Sequence, residues 1–129
     1  METTVKKTPA VKKPAIKLEH PKEVIDATDQ IMGRLSTRIA TLLQGKDQPG
    51  YLPYLDTGAE VQVTNVAQMK VTGNKMEDKK YYHHSGYPGG LKTKLMKELT
   101  PAQRLQHAVS GMLPKNKLRA PRLKRLKIT

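Results

Sequence analysis

Residues 24–45, VIDATDQIMGRLSTRIATLLQG, place a short apolar run directly before a helical repeat. Residues 24–28 are predicted to form a buried strand that leads into a turn. Apolar side chains then recur at helical spacing from 31 to 44, and Gly45 is placed to end that helix. Residues 61–65 alternate as a second strand would. A strand, a helix and a strand in this order indicate a βαβ unit and a parallel or mixed sheet.

The second half of the chain extends this pattern. Residues 69–72 are predicted to form a third, short strand, and a turn at 73–75 precedes the run into Tyr81. Helices are expected to resume after a glycine-rich loop, with Thr93 as a possible first N-cap. Residues 100–103, Thr-Pro-Ala-Gln, form a capping-box pattern with proline at the first helical position. That helix is predicted to end at Gly111.

Residues 81–90, YYHHSGYPGG, hold three of the five tyrosines and two of the four histidines. Aromatic rings, imidazole donors and an irregular glycine-rich backbone suit a surface that meets RNA, although a strand end with two core tyrosines would give the same residues. Strand alternation puts Tyr81 and His83 on one face and Tyr82 and His84 on the other. We expect the first pair to pack on the domain and the second pair to face outward.

Length and composition fit one domain. The chain has 129 residues and no cysteine, phenylalanine or tryptophan, so its core must be aliphatic and it has no thiolate chemistry. We expect a flexible Lys/Pro/Ala-rich basic arm at 1–22 and a single α/β domain with a basic C-terminal segment at 23–129. No apolar run approaches the roughly 18 residues of a membrane span, and no secretory signal is expected.

Charge is the strongest compositional signal. The formal net charge is +13, and residues 70–129 carry fifteen basic side chains against three acidic ones. A solvated surface of mixed sign would not be so one-sided, and such a charge repels itself unless a polyanion neutralises it. A nucleic acid is the expected partner, and an anionic membrane surface is the weaker alternative.

Two short motifs point to other chemistry and are each disfavoured. Residues 55–59, LDTGA, match the string of retroviral-type aspartic proteases, but a single copy would need a homodimer to supply the second carboxylate. The helix and proline-rich loop before it do not fit an all-β protease. Adjacent His83 and His84 point to opposite faces of a strand, so they do not share one metal ion easily. We expect no catalytic residue, metal or cofactor.

Seven strings appear in one order along residues 24–128. They are Asp26-Ala27-Thr28, Gly33-Arg34-Leu35, Asp56-Thr57-Gly58, Val71-Thr72-Gly73-Asn74-Lys75, Tyr81-Tyr82-His83-His84-Ser85-Gly86, Gly89-Gly90 and Gly111-Met112-Leu113-Pro114-Lys115. Together they closely resemble the bacterial type of the ribosomal large-subunit protein L-thirteen family. The resemblance implies a three-layer α/β/α fold around a small, largely parallel or mixed four-stranded sheet. It also implies a structural, non-enzymatic role in the large subunit, with early addition during assembly.

The expected partners are large-subunit ribosomal RNA and neighbouring large-subunit ribosomal proteins, without a membrane or a small-molecule substrate. The resemblance assigns RNA contact to Lys75, Tyr82, His83, His84, Ser85 and Lys115. Charge alone adds Lys79, Lys80, Lys92, Lys117, Arg119, Arg122, Lys124 and Arg125. The expected setting is a cytoplasmic ribosome, with an organellar ribosome left open. The alternative function is a free-standing RNA-binding regulator that uses the same basic face.

Overall fold

The computed structural model describes residues 20–129. Most of the predicted arm therefore lies outside the described residues, and Lys22, placed at its end, already opens the first strand. In chain order the elements are β1 (Lys22–Asp26), α1 (Met32–Gln44), β2 (Glu60–Thr64), α2 (Lys75–Asp78), β3 (Lys80–His84), β4 (Leu91–Leu95), α3 (Pro101–Met112), α4 (Arg119–Lys124) and β5 (Leu126–Ile128). The predicted α/β class is confirmed.

The core lies on one face of a parallel sheet with strand order β1-β2-β5. Ile25 lies beside Val63, and Val61 lies beside Leu126, so apolar side chains from all three strands share that face. They belong to the same buried cluster as Leu35, Ile39 and Leu43 of α1 and Leu105 and Val109 of α3. The predicted βαβ unit is confirmed, because α1 connects β1 to its parallel neighbour β2.

The structure differs in two details from the expected four-stranded sheet within three α/β/α layers. The strands divide into the three-stranded parallel sheet and a separate antiparallel pair, β3-β4. The opposite face of the parallel sheet carries Val24, Gln62 and Lys127, which are neighbours in register and are all exposed. The described helices leave that face open, because its side chains are largely polar and offer little apolar area to bury.

The C-terminal end of α1 is closed by glycines at two places. Gly45 has a φ of +77° and donates its N–H to the carbonyl oxygens of Thr41 and Leu42, as predicted for a helix terminator. Gly58 passes so close to the last turn that a Cβ on it would collide with the carbonyl group of Leu43. Ala59 then donates to the Leu42 carbonyl at 2.9 Å, which leads the chain into β2.

Residues 69–72 do not form the predicted strand. Asn65 adopts a left-handed φ of +57°, which turns the chain out of β2 into a 3₁₀ helix at Val66–Gln68. Lys70 then makes an isolated parallel bridge to Ile31, and its carbonyl accepts the N–H of Met32 at 2.9 Å. Apolar and polar side chains do alternate in residues 69–72. After the turn that follows Thr64, however, only Lys70 of this stretch forms a strand-like bridge, to Ile31.

The prediction for the region after the glycine-rich loop also requires correction. Thr93 does not cap a helix, because it lies within β4. Thr100 does cap α3: its hydroxyl accepts the N–H of Gln103, and the Gln103 side chain accepts the N–H of Thr100, each at 3.3 Å. The predicted capping box is therefore confirmed. The helix continues past Gly111 to Met112.

Candidate nucleic-acid interface

The hairpin of β3 and β4 presents residues 81–90 to solvent. Gly86 and Gly89 both have a positive φ, +89° and +74°, which allows the chain to reverse between the two strands. His84 supports the reversal, because its Nδ1 accepts the N–H of Gly86 at 2.9 Å. Tyr87 at the tip is 76% exposed. The stretch is thus a strand and a turn on the surface, as predicted, but it also has a return strand, β4.

The two tyrosines of β3 differ as strand alternation predicts. Tyr81 stacks on His107 of α3 with ring centroids 5.0 Å apart, and the ammonium of Lys79 lies 5.5 Å from its ring. Burial raises the pKa of the Tyr81 hydroxyl, and the nearby charge of Arg104 opposes this rise. Tyr82 is 66% exposed on the other face. Tyr81 packs against α3, and Tyr82 is the more exposed of the two rings.

His83 departs from the expected inward pair. It shares a face with Tyr81 yet remains exposed, because an open cavity separates it from α3. Cross-strand register places Lys92 opposite His83 and Lys94 opposite Tyr81, so this face of the hairpin carries two cations. His84 lies on the other face, where it is also exposed. Both histidines are therefore accessible.

The remaining predicted side chains around the hairpin are exposed as well. Lys75 lies in α2, Lys79 follows it, Lys80 opens β3, and Ser85 lies at the turn. These residues and Lys92 all lie on the short α2, on the hairpin or between the two. Two further exposed cations, Lys94 in β4 and Lys97 after it, were missed. The alternation of lysine with leucine or threonine in residues 91–95 was the signal that could have identified Lys94.

The C-terminal segment presents a second group of cations. Lys115, Lys117 and Lys124 are exposed. Arg119 is half-buried, and its guanidinium donates to the hydroxyl of Ser110 at 2.5 Å. Leu118, Leu123, Leu126 and Ile128 are half-buried in the same segment, which confirms that it is docked on the fold.

Two residues that charge alone predicted to bind RNA, Arg122 and Arg125, are instead paired within the domain. Arg122 is 1% exposed, and its Nε lies 3.3 Å from the carboxylate of Asp56. Arg125 grips the same carboxylate with two nitrogens, at 2.5 and 2.7 Å, and also donates to the Leu43 carbonyl at 3.1 Å. Both guanidinium groups are paired with Asp56 inside the domain, although the Nε of Arg125 is buried without a hydrogen-bond partner among the described residues. Neither arginine is therefore free to bind a phosphate.

The sequence analysis did not connect Asp56 with the C-terminal arginines that it pairs with in the structure. Burial raises the pKa of its carboxyl group, but hydrogen bonds and charge from Arg125 and Arg122 outweigh burial, so the pKa lies below its ordinary value. A carboxylate held by two guanidinium groups cannot share a proton with a second aspartate, and the protease alternative is therefore wrong. Its place beside the basic segment depends on chain folding, which no local pattern reports.

Other classes of site receive no support from the described chain. Residues 20–129 contain no cluster of three histidine, cysteine or acidic side chains arranged to hold a metal ion. Over the same residues, no helix combines the length and apolar character of a membrane span. The described surface thus offers aromatic rings, histidines and lysines, which together suit contact with a nucleic acid.

Comparison with known proteins identifies the family of the chain. Residues 21–128 match the family model described as Ribosomal protein L13. The chain is 50% identical to the Large ribosomal subunit protein uL13 of Lawsonia intracellularis over 114 residues, covering 86% of this chain and 79% of that protein. It is 53% identical to the protein of the same name in Dechloromonas aromatica over 107 residues, covering 81% and 75%. The chain belongs to the ribosomal protein L13 family.

Proposed function

We propose that the chain is a structural component of the large subunit of the cytoplasmic ribosome. The observation that carries this proposal is the family match over residues 21–128, with relatives about 50% identical that are named large ribosomal subunit proteins. The family is structural rather than enzymatic. The surface described above supports the proposal independently, because its exposed groups are cations and rings rather than a nucleophile with a base.

The chain binds large-subunit ribosomal RNA through what we call the basic surface. This surface combines the exposed side chains around the hairpin with the exposed lysines and the half-buried Arg119 of the C-terminal segment. Its members are Lys75, Lys79, Lys80, Tyr82, His83, His84, Ser85, Lys92, Lys115, Lys117, Arg119 and Lys124. Lysines contribute charge toward phosphates, whereas tyrosine and histidine rings can stack on unpaired bases. Arg122 and Arg125 are left out because both are paired with the Asp56 carboxylate inside the domain.

The same proposal includes early addition to the assembling subunit and contact with neighbouring large-subunit proteins. The basic C-terminal segment is already docked on the fold, so the basic surface needs no further folding step before it binds RNA. This favours early addition of the chain to the assembling subunit. The motif resemblance supports both features.

Co-sedimentation tests the subunit assignment. A tagged full-length chain should migrate with large subunits on a sucrose gradient at moderate salt, because many buried phosphate contacts resist screening better than exposed pairs do. Recovery only in a free pool or on messenger RNA would overturn the assignment and favour the free-standing regulator. Tagging a known large-subunit protein in parallel controls for intact particles.

A salt titration tests the basic surface. Changing Lys117 and Lys124 together to glutamine should weaken binding of a large-subunit rRNA transcript. If each lysine meets one phosphate, the slope of log K against log salt should become shallower by roughly 1.8. The matched control changes Lys22 and Lys46 to glutamine, which removes the same charge from exposed positions outside the surface. Equal effects of the two pairs would show that only net charge matters and would remove the C-terminal lysines from the interface.

A further inference from the structure

A hollow of about 540 Å³ separates the inner face of the hairpin from α3. One wall carries Tyr81, His83, Lys92 and Lys94, which share a face by cross-strand register. Leu99 and the α3 residues Gln103, Gln106 and His107 form the other wall. The Tyr81–His107 ring pair joins the two walls. This ring contact closes one end of the hollow, and the mouth of the hollow is open to solvent.

The side chains that line the hollow are basic or neutral. Its lining contains two lysines, two histidines and no carboxylate. The side-chain oxygen of Gln103 accepts a hydrogen bond from the N–H of Thr100, so the NH₂ group of Gln103 is available as a donor. Gln106 is exposed, and its amide can both donate and accept. The Tyr81 hydroxyl is buried in the described structure without a hydrogen-bond partner.

We infer that this hollow receives an unpaired RNA base, with the adjoining phosphate on Lys92 or Lys94. Imidazole and phenol rings offer stacking surfaces, and glutamine amides offer the paired donor and acceptor that base edges require. A duplex is a poor occupant, because its bases are stacked inside the helix and cannot enter. An acidic protein loop would satisfy the lysines, but it would leave the ring faces and amides without matched partners. This inference rests on the proposed function and names the ligand of one part of its surface.

The first test compares single-stranded and duplex RNA on the full-length chain. The probes are a uridine-rich heptamer containing one 2-aminopurine and a blunt duplex of the same length. Tyr81→Leu should weaken binding of the single strand by roughly 5- to 150-fold, the range found for loss of base stacking on a protein ring. It should leave duplex binding unchanged, because duplex binding depends on phosphate contacts. The 2-aminopurine fluorescence should change on binding to the wild-type chain and not to the variant.

A second variant guards against loss of folding in the first. Gln106→Leu keeps the size of the side chain and removes its amide, so it should weaken single-strand binding by roughly 2- to 10-fold, as expected for one hydrogen bond. Gln62→Leu is the matched control, because Gln62 is exposed on the far face of the parallel sheet. Equal binding by Gln106→Leu and Gln62→Leu would overturn the inference, as would equal loss on single strand and duplex.

Crosslinking in the assembled particle separates this inference from the proposed function. Large subunits containing 4-thiouridine should yield a nucleotide crosslink on His83, Gln106 or Tyr81. If the chain is present in large subunits but its thiouridine crosslinks map only to residues outside the hollow, the base assignment is overturned and the subunit assignment stands. If the chain is absent from large subunits, the proposed function itself fails.

Discussion

Asp56 is the residue at which local motif and tertiary role diverge most. Its string, Asp-Thr-Gly, is ordinary turn chemistry and also matches a protease, yet its carboxylate holds two arginines from the far end of the chain. One of them, Arg122, is almost fully buried. A buried guanidinium without its carboxylate would be an unpaired charge in the interior, which is far more costly than an exposed one. Asp56 therefore secures the C-terminal segment to the fold.

Asp56→Asn should lower the free energy of unfolding by about 3 kcal/mol at neutral pH, because it leaves two buried guanidinium groups without a counter-charge. The wild-type carboxyl has a pKa below its ordinary value of 3.8, so its stabilising contribution is present above that value. The contribution is lost as pH falls through the lowered pKa. Urea unfolding across pH should show a constant gap between the two proteins above about pH 5 that narrows below about pH 4.

The control for this prediction is Asp47→Asn. Asp47 is exposed in the loop after α1, so its substitution should change the free energy of unfolding by less than about 0.5 kcal/mol. A gap between Asp56→Asn and wild type that stays constant down to pH 2 would contradict the proposed charge contribution.

At the scale of elements, the last turn of α1 is where separate parts of the chain meet. Its terminal carbonyl groups accept N–H groups from Gly45 and Ala59 and the guanidinium of Arg125. A cation at this end also interacts favourably with the helix dipole. The close approach of the loop to this turn requires a residue without a side chain at position 58. The turn thus connects α1, β2 and the C-terminal segment.

Gly58→Ala should destabilise the fold by about 3 kcal/mol, because the added methyl group collides with backbone atoms that cannot move aside easily. Gly33→Ala is the matched control. Gly33 lies in α1 with open space around it, so alanine should stabilise the protein by up to about 1 kcal/mol. Thermal unfolding followed by circular dichroism compares the two. A stability for Gly58→Ala at or above that of wild type would show that the loop does not pack against α1 in this way.

At the scale of the whole molecule, a packed core and an exposed hairpin form distinct parts. The parallel sheet is buried against α1 and α3, whereas β3 and β4 form their own two-stranded sheet with mostly exposed side chains. An isolated pair of strands is marginally stable, and the hairpin is attached through Tyr81 and the short elements beside it. We therefore expect the hairpin to open more readily than the core.

Native-state hydrogen exchange measures this difference. Amides that pair β3 with β4 should exchange at least about 10-fold faster than those of Ile25 and Val63 in the parallel sheet, because few buried contacts must be broken to expose them. Addition of a large-subunit rRNA transcript should slow exchange in the hairpin and leave the core unchanged. Equal protection of the two parts in the free chain would show that the molecule opens as a single cooperative unit.

Much of the fold follows from local patterns. The α1 periodicity, its Gly45 terminator, the Thr100 capping box and the alternation in β2 each depend on neighbours within a few residues, and all are confirmed. The strand expected at 69–72 and the helix start expected at Thr93 were both wrong, because stretches this short do not distinguish strands from helices or turns reliably. A left-handed Asn65 decided the first case, and pairing with β3 decided the second.

The sequence by itself determined the βαβ core, the family and the excess of positive charge, because periodicity, ordered motifs and composition are all properties of the linear chain. Only the tertiary structure decided which cations are available to a partner. Arg122 and Arg125 cannot be distinguished by composition from Lys117 and Lys124, but parallel pairing of β5 with β2 brings them to Asp56, 66 and 69 residues away. The burial of a charge depends on which distant segment packs against it, and local sequence carries no record of that contact.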